Sequence, residues 1–338
     1  MRANRSALSS NSDLALPRIV LHLKARDLDV DLRGAHLALY RHIREMVAKE
    51  GIGLHIRQRD ADIRIGTREV ADHRFDDGDL HIIDDRSLRA SNVLNAAVAY
   101  FRGFWHLDPI GTRAFSGIGQ KVYSPDAVTY RAAKPFFDVL RKHHLHGRQS
   151  KLPQMESITH LPQGAIAVFF QGSHPRMSGA TEFTDLEMLK AVLNGVTHRP
   201  VVVKLHPAAE EAYVSDEVCN LVSRNPRLIL TDANVHDILK QAVMTVSINS
   251  TLALEGFIHR KPAVLFGQAD FHHFAGRVRY PDDFAKVFSQ ELQRDGGYAQ
   301  YLSWYFQQNC LQLTSETLEK EIWSIFEGAG FPRARFRS

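Results

Sequence analysis

Short apolar runs alternate with segments of helical periodicity throughout the second half of the chain. Thr184 and Glu187 have the spacing of a capping box, which predicts that a helix begins there. An unbroken alternation of strands and helices favours a mostly parallel sheet covered by helices, which is a Rossmann-like domain. Predicted strands cover residues 165–170, 200–204, 228–230, 244–248 and 263–266, and further helices cover residues 209–224, 235–243 and 251–259.

The first half also alternates short apolar runs with segments of helical periodicity, although less regularly. Residues 151–163 contain prolines and no clear period, which is typical of a linker between domains. The predicted strands are residues 19–23, 54–56, 63–65, 80–83 and 103–107, and the predicted helices are residues 37–47 and 93–100. We therefore divide the chain into a disordered start (1–16), an amino-terminal α/β domain (17–150), the linker (151–163), a carboxy-terminal Rossmann-like domain (164–330) and a basic tail (331–338).

Composition narrows the class of protein. The chain has 338 residues, of which 44% are hydrophobic and 24% charged, enough for two ordinary domain cores. Its net charge is only +4 and its basic residues are scattered, so we expect no nucleic-acid partner. The first 16 residues lack the apolar core of a signal peptide, and no apolar run suggests a membrane span. The two cysteines cannot form a disulfide framework. We expect a soluble cytoplasmic protein whose basic tail would add at most weak adhesion to anionic lipid.

Polar residues follow the predicted strands of the second half, where α/β sheets bind ligands. His206 comes directly after one strand and is restrained by Pro207, so its ring N–H could donate to a phosphoryl oxygen. Lys204 adds a counter-charge two residues earlier. The G-x-G-x-x-G turn is absent, which disfavours a dinucleotide cofactor. The pattern instead predicts a site for the phosphate of a nucleotide-sugar.

A second set of polar groups lies where another strand ends and a helix begins. The hydroxyls of Ser250 and Thr251, with the free N–H groups of the first helical turn, would form an anion site. Glu255 lies one turn further along the same face and could accept the hydroxyls of a ribose. Each candidate also has an ordinary structural explanation. His206 and Pro207 could be a packed His-Pro, Ser250 and Thr251 a helix cap, and Glu255 a solvated charge. Their common position at the ends of neighbouring strands favours the phosphate site.

The motifs of the second half resemble those of a known family. Lys-x-His-Pro, then Asn-Ser with a glutamate five residues after the serine, then Lys-Pro and Phe-Gly, resemble the carboxy-terminal domain of bacterial capsule and lipopolysaccharide Kdo transferases. These are GT-B glycosyltransferases that use CMP-Kdo, and they are more distantly similar to bacterial sialyltransferases. The resemblance implies two Rossmann-like domains that face a central cleft, a CMP-sugar donor and no cofactor. It carries a nucleotide-binding set of Lys204, His206, Pro207, Asn249, Ser250, Thr251, Glu255 and Gly267.

The resemblance extends more loosely into the first half, which would hold the acceptor. Related transferases have an acidic loop there, and this chain has Asp108 and Arg113 after a predicted strand. The resemblance implies an acid/base role for Asp108 and a substrate-orienting role for Arg113, with His206 as the third catalytic candidate. The retaining transferases also carry a Gln-x-x-x-Asp-type stretch, and the aspartate is missing after Gln171 in this chain. Candidate donor contacts are Gln171, Ser173, His174 and His272.

Three functions fit these residues. The first is a glycosyltransferase that moves Kdo or a related 2-keto acid from a CMP-sugar to a surface-polysaccharide or glycolipid acceptor, at the inner face of the inner membrane or free in the cytoplasm. With Asp108 as base and His206 stabilising the departing CMP, direct inverting displacement needs no metal. The second is a CDP-polyol phosphotransferase. The third is a non-catalytic nucleotide-binding subunit of a capsule-assembly complex, which the missing aspartate favours.

Overall fold

The computed structural model describes residues 16–28, 31–66, 73–206 and 212–337. The predicted disordered start lies outside these ranges except for Leu16. The strands are β1 (Ile19–Leu23), β2 (Leu54–Gln58), β3 (Leu80–Asp84), β4 (Val93–Val98), β5 (Phe104–Asp108), β6 (Ala165–Phe169), β7 (Val201–Lys204), β8 (Leu228–Leu230), β9 (Ala242–Ser247), β10 (Ala263–Leu265), β11 (Gly276–Arg277) and β12 (Leu311–Gln312). The α-helices are α1 (Ala38–Ala48), α2 (Tyr130–Leu140), α3 (His174–Met177), α4 (Asp185–Gly195), α5 (Ala212–Arg224), α6 (Val235–Gln241), α7 (Leu252–Ile258), α8 (Phe284–Glu291), α9 (Tyr298–Asn309) and α10 (Leu318–Gly328).

The first sheet has the strand order β12-β5-β4-β3-β1-β2. Strands β1 to β4 are parallel to one another, whereas β5 is antiparallel to β4 and β12 is antiparallel to β5. Helix α1 covers this sheet because Leu39, Ile43 and Val47 recur at helical spacing and are fully buried. Residues that follow β1, β2 and β3 therefore gather at one edge of the sheet.

The second sheet is parallel throughout, in the order β11-β10-β9-β6-β7-β8. The capping box is confirmed: Thr184 and Glu187 exchange hydrogen bonds at the start of α4. Strands β6, β7, β9 and β10 all end at the same edge, since they run in the same direction. The polar residues that follow these strands are thus neighbours in space, as the sequence predicts for a Rossmann-like domain.

Two predictions in the first half are wrong. The predicted helix 93–100 is instead strand β4 (Val93–Val98) with two residues of the following turn, and residues 63–65 lie in a turn segment and not in a strand. Strand β4 lies between two other strands and is buried on both faces, so its apolar run lacks the alternation that marks a half-exposed strand. The side chain of Asn95 bonds both backbone groups of Leu88, which fixes the tight loop between β3 and β4.

The end of the chain returns to the first sheet. Strand β12 pairs with β5, and α10 packs into the core beneath the first sheet. The sequence-based boundary at residue 330 assigned these elements to the carboxy-terminal domain, but residues 311–336 pack with the first sheet. The described part of the basic tail also packs there, because Phe331 and Phe336 are buried. Arg333 and Arg337 form ion pairs with Glu50. These arginines therefore face a carboxylate of the first domain.

The two sheets are joined by a shared aromatic core. Phe101 and Phe104, which flank the turn between β4 and β5, pack against Phe306 of α9, and Tyr100 packs edge-on against Phe271. Helix α9 also packs along α2. Aromatic pairs of this kind add directional contacts to a large apolar area. Across the described residues, no helix is both long and apolar enough to cross a membrane.

Candidate functional site

An amide network ties together three strand ends of the second sheet. Gln171, after β6, donates to the side chain of Asn249 at 2.9 Å and accepts from its backbone N–H at 2.8 Å. Asn249, after β9, donates to the carbonyl of Gln268, after β10, at 2.9 Å. Gln268 in turn donates to the carbonyl of Ala114 in the first domain at 2.9 Å. Gln171, a predicted donor contact, and Asn249, a predicted nucleotide-binding residue, therefore shape the edge of the sheet and connect it to the opposite domain.

The two predicted phosphate-binding residues at the end of β7, Lys204 and His206, have different surroundings. The ammonium of Lys204 donates to the carbonyls of Asp232 and Ala233, each at 2.8 Å, and so anchors the loop after β8. His206 is half-buried, and burial together with the nearby charge of Lys151 lowers its pKa. A neutral imidazole can donate one hydrogen bond to an oxyanion. Pro207 lies outside the described residues.

The turn from β9 into α7 has the geometry of a helix cap. The hydroxyl oxygen of Ser250 accepts from the N–H of Leu252 at 3.2 Å, which leaves its own hydrogen free to donate. Thr251 is half-buried. Helix α7 has only seven residues, so its dipole adds little and the hydroxyl groups are the main donors at this end. Ser250 and Thr251 follow β9 and His206 follows β7; β6 lies between these two parallel strands, and all three residues lie at the same edge of the sheet.

Glu255 is buried beneath this edge rather than open to it. It is 1% exposed, and its Oε1 accepts from the hydroxyl of Ser150 at 2.8 Å. Burial raises the pKa of Glu255 to about 7, although the hydroxyl of Ser150 and the charge of Lys151 oppose the change. Its Oε2 lies 3.9 Å from Nε2 of His236 and has no hydrogen-bond partner among the described residues. Its role as an acceptor of ribose hydroxyls stays a prediction.

Gly267 is buried where two loops approach closely. A Cβ at this position would lie 2.7 Å from Cγ2 of Ile248 and 3.1 Å from the carbonyl oxygen of Ala180. Glycine is therefore required for packing. The contact between the loops after β9 and β10 depends on this glycine.

Asp108 organises the loop that follows β5. Its Oδ1 accepts from the N–H groups of Ile110 and Gly111 at 2.7 and 3.1 Å, and its Oδ2 accepts from Gly117 at 2.9 Å. Burial raises the pKa of Asp108, although these donors oppose the change. Oδ2 keeps one lone pair beyond its single donor, so it could still accept a proton from a substrate hydroxyl.

Arg113 lies in the same loop, with a backbone φ of +52°. Its guanidinium forms an ion pair with Asp85 at 2.9 Å. Asp85 also pairs with Lys24 at 2.9 Å, and this concentration of cations lowers its pKa although burial opposes the change. Arg113 is thus held at the edge of the first sheet that gathers the residues after β1 and β3.

The other candidate donor contacts, Ser173, His174 and His272, lie in different environments. Ser173 and His174 are exposed at the start of α3. Partial desolvation of the His174 ring and the charge of Arg113 lower the pKa of His174. His272 is half-buried, stacks on His273, and is bonded to the carbonyl of Ala269 at 2.8 Å. Among the residues that the structure describes, no group of three or more His, Cys, Asp or Glu side chains could hold a metal ion.

Sequence reasoning missed Asp270, which is fully buried at the junction of the two domains. It accepts hydrogen bonds from the hydroxyls of Tyr100 at 2.8 Å, Ser116 at 2.6 Å and Tyr305 at 2.7 Å. Burial raises the pKa of Asp270 to about 7, and burial lowers the pKa of the neighbouring His106 to about 3. The donors come from three distant segments, so no local motif could have indicated this cluster.

Lys151 was also missed, because the linker was assigned no function. The Lys151 side chain is exposed. Neighbouring protein atoms still desolvate its ammonium in part, and this desolvation lowers its pKa. The charges of Arg113 and Asp85 from the first domain and of Glu255 from the second also act on its pKa.

Comparison with known proteins confirms the family resemblance and the fold. Residues 174–277 match the family model described as capsule polysaccharide biosynthesis protein. The structure is similar to the β-Kdo 2,7 transferase of Thermosulfurimonas dismutans KpsC, with 13% identity over 93% of this chain and 99% of that chain and a TM-score of 0.51. The β-Kdo 2,4 transferase of the same protein gives 12% identity over 85% and 89% of the two chains and a TM-score of 0.49. A search of curated protein sequences found no significant match.

These findings establish a GT-B-like fold built from two Rossmann-like parts. The matched region contains all the candidate residues that follow β7, β9 and β10. The family match covers less than half of the chain, and the similarity to a solved structure at 13% identity shows the fold.

Proposed function

We propose that this protein is a glycosyltransferase that moves a sugar from a CMP-linked donor to a glycan or glycolipid acceptor of a surface polysaccharide. The nucleotide would lie at the edge of the second sheet, where His206 and the hydroxyls of Ser250 and Thr251 would donate to its phosphate. The acceptor would lie over the loop that contains Asp108 and Arg113. No metal ion is required if these donors neutralise the charge of the departing nucleotide.

One observation carries this proposal. The loop organised by Asp108 is hydrogen-bonded to the loop after β10, through Gln268 to Ala114 at 2.9 Å and through Ser116 to Asp270 at 2.6 Å. The base candidate and the nucleotide edge are therefore parts of one connected unit. Transfer between two bound substrates requires that the reacting groups are held close together in this way.

The chemistry follows from the properties of the two groups. Asp108 would accept the proton of an acceptor hydroxyl as its oxygen attacks the anomeric carbon, and its raised pKa makes it a better base than an exposed aspartate. The bond from that carbon to the phosphate oxygen breaks, and the released CMP keeps the electron pair. His206 would stabilise the new negative charge. A single displacement of this type inverts the anomeric configuration and needs no aspartate after Gln171.

Kdo or a related 2-keto acid is the sugar that we propose. This choice is supported by the family match and by the description of the structurally similar protein as a β-Kdo 2,7 transferase. We also propose that the protein works in the cytoplasm at the inner face of the membrane, where a glycolipid acceptor would be present.

A nucleotide-binding experiment tests the proposed site. CMP should raise the melting temperature more than UMP, GDP or ADP, since a ligand at about 100 times its Kd stabilises by about 2.7 kcal/mol. Isothermal titration should then show weaker CMP binding by His206→Ala and unchanged binding by Asp108→Ala. If His206→Ala bound CMP as tightly as the wild type, the nucleotide assignment would be wrong.

A further inference from the structure

A short glycine-rich loop lies between two aspartates that belong to different domains. The loop has the sequence Ser-Gly-Ile-Gly at residues 116–119 of the first domain. A Cβ on Gly117 would lie 2.9 Å from Oδ2 of Asp108, and a Cβ on Gly119 would lie 3.3 Å from Cα of Asp270. Each glycine therefore lets the backbone of the loop contact one of the two aspartates directly. Since no side chain separates them, the position of the loop is set from both sides.

Asp270 holds this loop through the hydroxyl of Ser116. The hydroxyl donates to Oδ2 of Asp270 at 2.6 Å, and both residues are buried. Tyr100 and Tyr305 donate to the same carboxylate at 2.8 and 2.7 Å, so three hydroxyls fix its orientation. Nε2 of His106, on β5, lies 3.6 Å from Oδ2, which places the carboxylate beside this strand. Asp270 is therefore an anchor for the loop that the second domain supplies.

The other side of the loop contacts the proposed base. Ser116 is followed by Gly117, whose N–H donates to Oδ2 of Asp108 at 2.9 Å. Oδ1 of Asp108 is bound by the N–H groups of Ile110 and Gly111, which belong to the turn directly after it. Gly117 is the one hydrogen-bond donor that the structure describes for Oδ2, the oxygen that would accept the proton of a substrate hydroxyl. The orientation of this oxygen therefore depends on where the loop lies.

We propose that Asp270 is a positioning residue for Asp108, acting through the hydroxyl of Ser116 and the N–H of Gly117. The base of one domain is thereby oriented by a carboxylate of the other, so it is correctly placed when the two domains are packed together. Placement matters because a displacement of about 1 Å near a reacting group can reduce a rate by about a hundredfold. This role rests on the proposed function, because it requires that Asp108 is the base.

A matched pair of variants separates positioning from a contribution to stability alone. Ser116→Ala and Tyr305→Phe each remove one hydroxyl that donates to the same oxygen of Asp270. If Asp270 only stabilised the fold, the two variants would have similar effects on turnover. Positioning predicts that Ser116→Ala lowers kcat by about tenfold or more without changing KM for the CMP-sugar or the affinity for CMP, whereas Tyr305→Phe stays within about twofold of the wild type. Thermal unfolding verifies that both variants are folded.

A double-mutant cycle shows whether Asp270 acts through Ser116. The cycle is needed because the Ser116 hydroxyl also accepts from the N–H of Ile118 at 3.3 Å, a local contact that Ser116→Ala removes as well. Asp270→Asn keeps that hydroxyl and should lower kcat as Ser116→Ala does, because its amide nitrogen cannot accept from Ser116. The double variant should lose no more kcat than the more impaired single variant. Independent losses that multiply in the double variant would contradict the proposal.

An NMR measurement tests the positioning without any turnover. Cell-free synthesis with carbonyl-¹³C serine and ¹⁵N glycine selects Ser-Gly pairs, of which the sequence has two, Ser116–Gly117 and Ser178–Gly179. Ser116→Ala removes the first pair and so identifies the Gly117 signal. The Gly117 amide should exchange with solvent about tenfold faster in Asp270→Asn than in the wild type, and at the wild-type rate in Tyr305→Phe. Gly179, whose N–H is bonded to the carbonyl of Arg176, should be unchanged in both.

The outcomes separate this proposal from the proposed function. Equal exchange of Gly117 in the wild type and in folded Asp270→Asn would overturn the proposal, as would equal losses of kcat in Ser116→Ala and Tyr305→Phe. Faster exchange of Gly117 in Asp270→Asn, in a protein that transfers no sugar, would retain the control of the loop by Asp270 and reject the proposed function. If Asp270→Asn does not fold, the comparison of Ser116→Ala with Tyr305→Phe decides.

Discussion

The buried carboxylate Asp270 makes a strong prediction about stability and pH. It is fully buried, accepts three hydroxyl hydrogen bonds and has a pKa raised to about 7 by burial. In the unfolded chain it would titrate near the ordinary value of 3.8. The folded protein therefore binds the proton more tightly than the unfolded protein does. This contribution to stability is fully present below the unfolded pKa and is lost as the pH rises through about 7.

The magnitude follows from the shift. Each pKa unit corresponds to about 1.4 kcal/mol, so the free energy of unfolding attributable to Asp270 should fall by about 3 kcal/mol between roughly pH 5 and pH 8. Asp270→Asn cannot ionise and resembles the protonated acid in shape. Its amide nitrogen cannot accept the hydroxyls of Ser116 and Tyr305, so the variant should lose about 1 to 3 kcal/mol near pH 5.

Urea unfolding followed by tryptophan fluorescence measures this difference directly. The stability of the wild type minus that of Asp270→Asn should decrease by about 3 kcal/mol from roughly pH 5 to pH 8, while other titrating groups cancel in the comparison. Asp295→Asn, an exposed control, should show a constant difference from the wild type. A constant difference for Asp270→Asn as well would refute the reasoning about its buried, protonated state.

The remaining predictions concern turnover and packing. His206→Ala should reduce turnover of a CMP-sugar by about a hundredfold, because it removes a donor to the leaving phosphate; steady-state release of CMP measures this, and unchanged release would contradict the assignment. Asp108→Ala should nearly abolish transfer and keep CMP binding, measured by the same assay and by isothermal titration; retained transfer would exclude it as the base. Gly267→Ala should lower stability by about 1 to 3 kcal/mol, because its Cβ would overlap Ile248 at 2.7 Å, and thermal unfolding checks this against the wild type.

The second half was predictable from sequence because its strands are short, apolar and separated by helices with clear caps. Thr184 and Glu187 fixed the start of α4, and each predicted strand of the second sheet is present. Strand β4 was mistaken for a helix because it is buried on both faces, which removes the period of two. The return of β12 to the first sheet was invisible, since two residues that pair across more than 200 positions leave no local pattern.

The residues of the candidate site likewise differ in whether the sequence could indicate them. His206, Ser250 and Asn249 could be predicted as candidates because each follows a strand whose direction could be predicted. Asp270 and Lys151 were not found, since their importance depends on Tyr305, Ser116 and Arg113, which are distant along the chain. Contacts between domains are set by packing of the whole molecule, and one sequence does not reveal them.

The central claim is that the two domains transfer a sugar from a CMP-linked donor. The most direct test incubates the full chain with CMP-Kdo and a panel of glycan and glycolipid acceptors, and measures CMP and the product mass. We expect stoichiometric release of CMP and an acceptor heavier by one Kdo residue, both lost in Asp108→Ala. No product with any acceptor, or transfer of a polyol phosphate from CDP-glycerol instead, would contradict the claim.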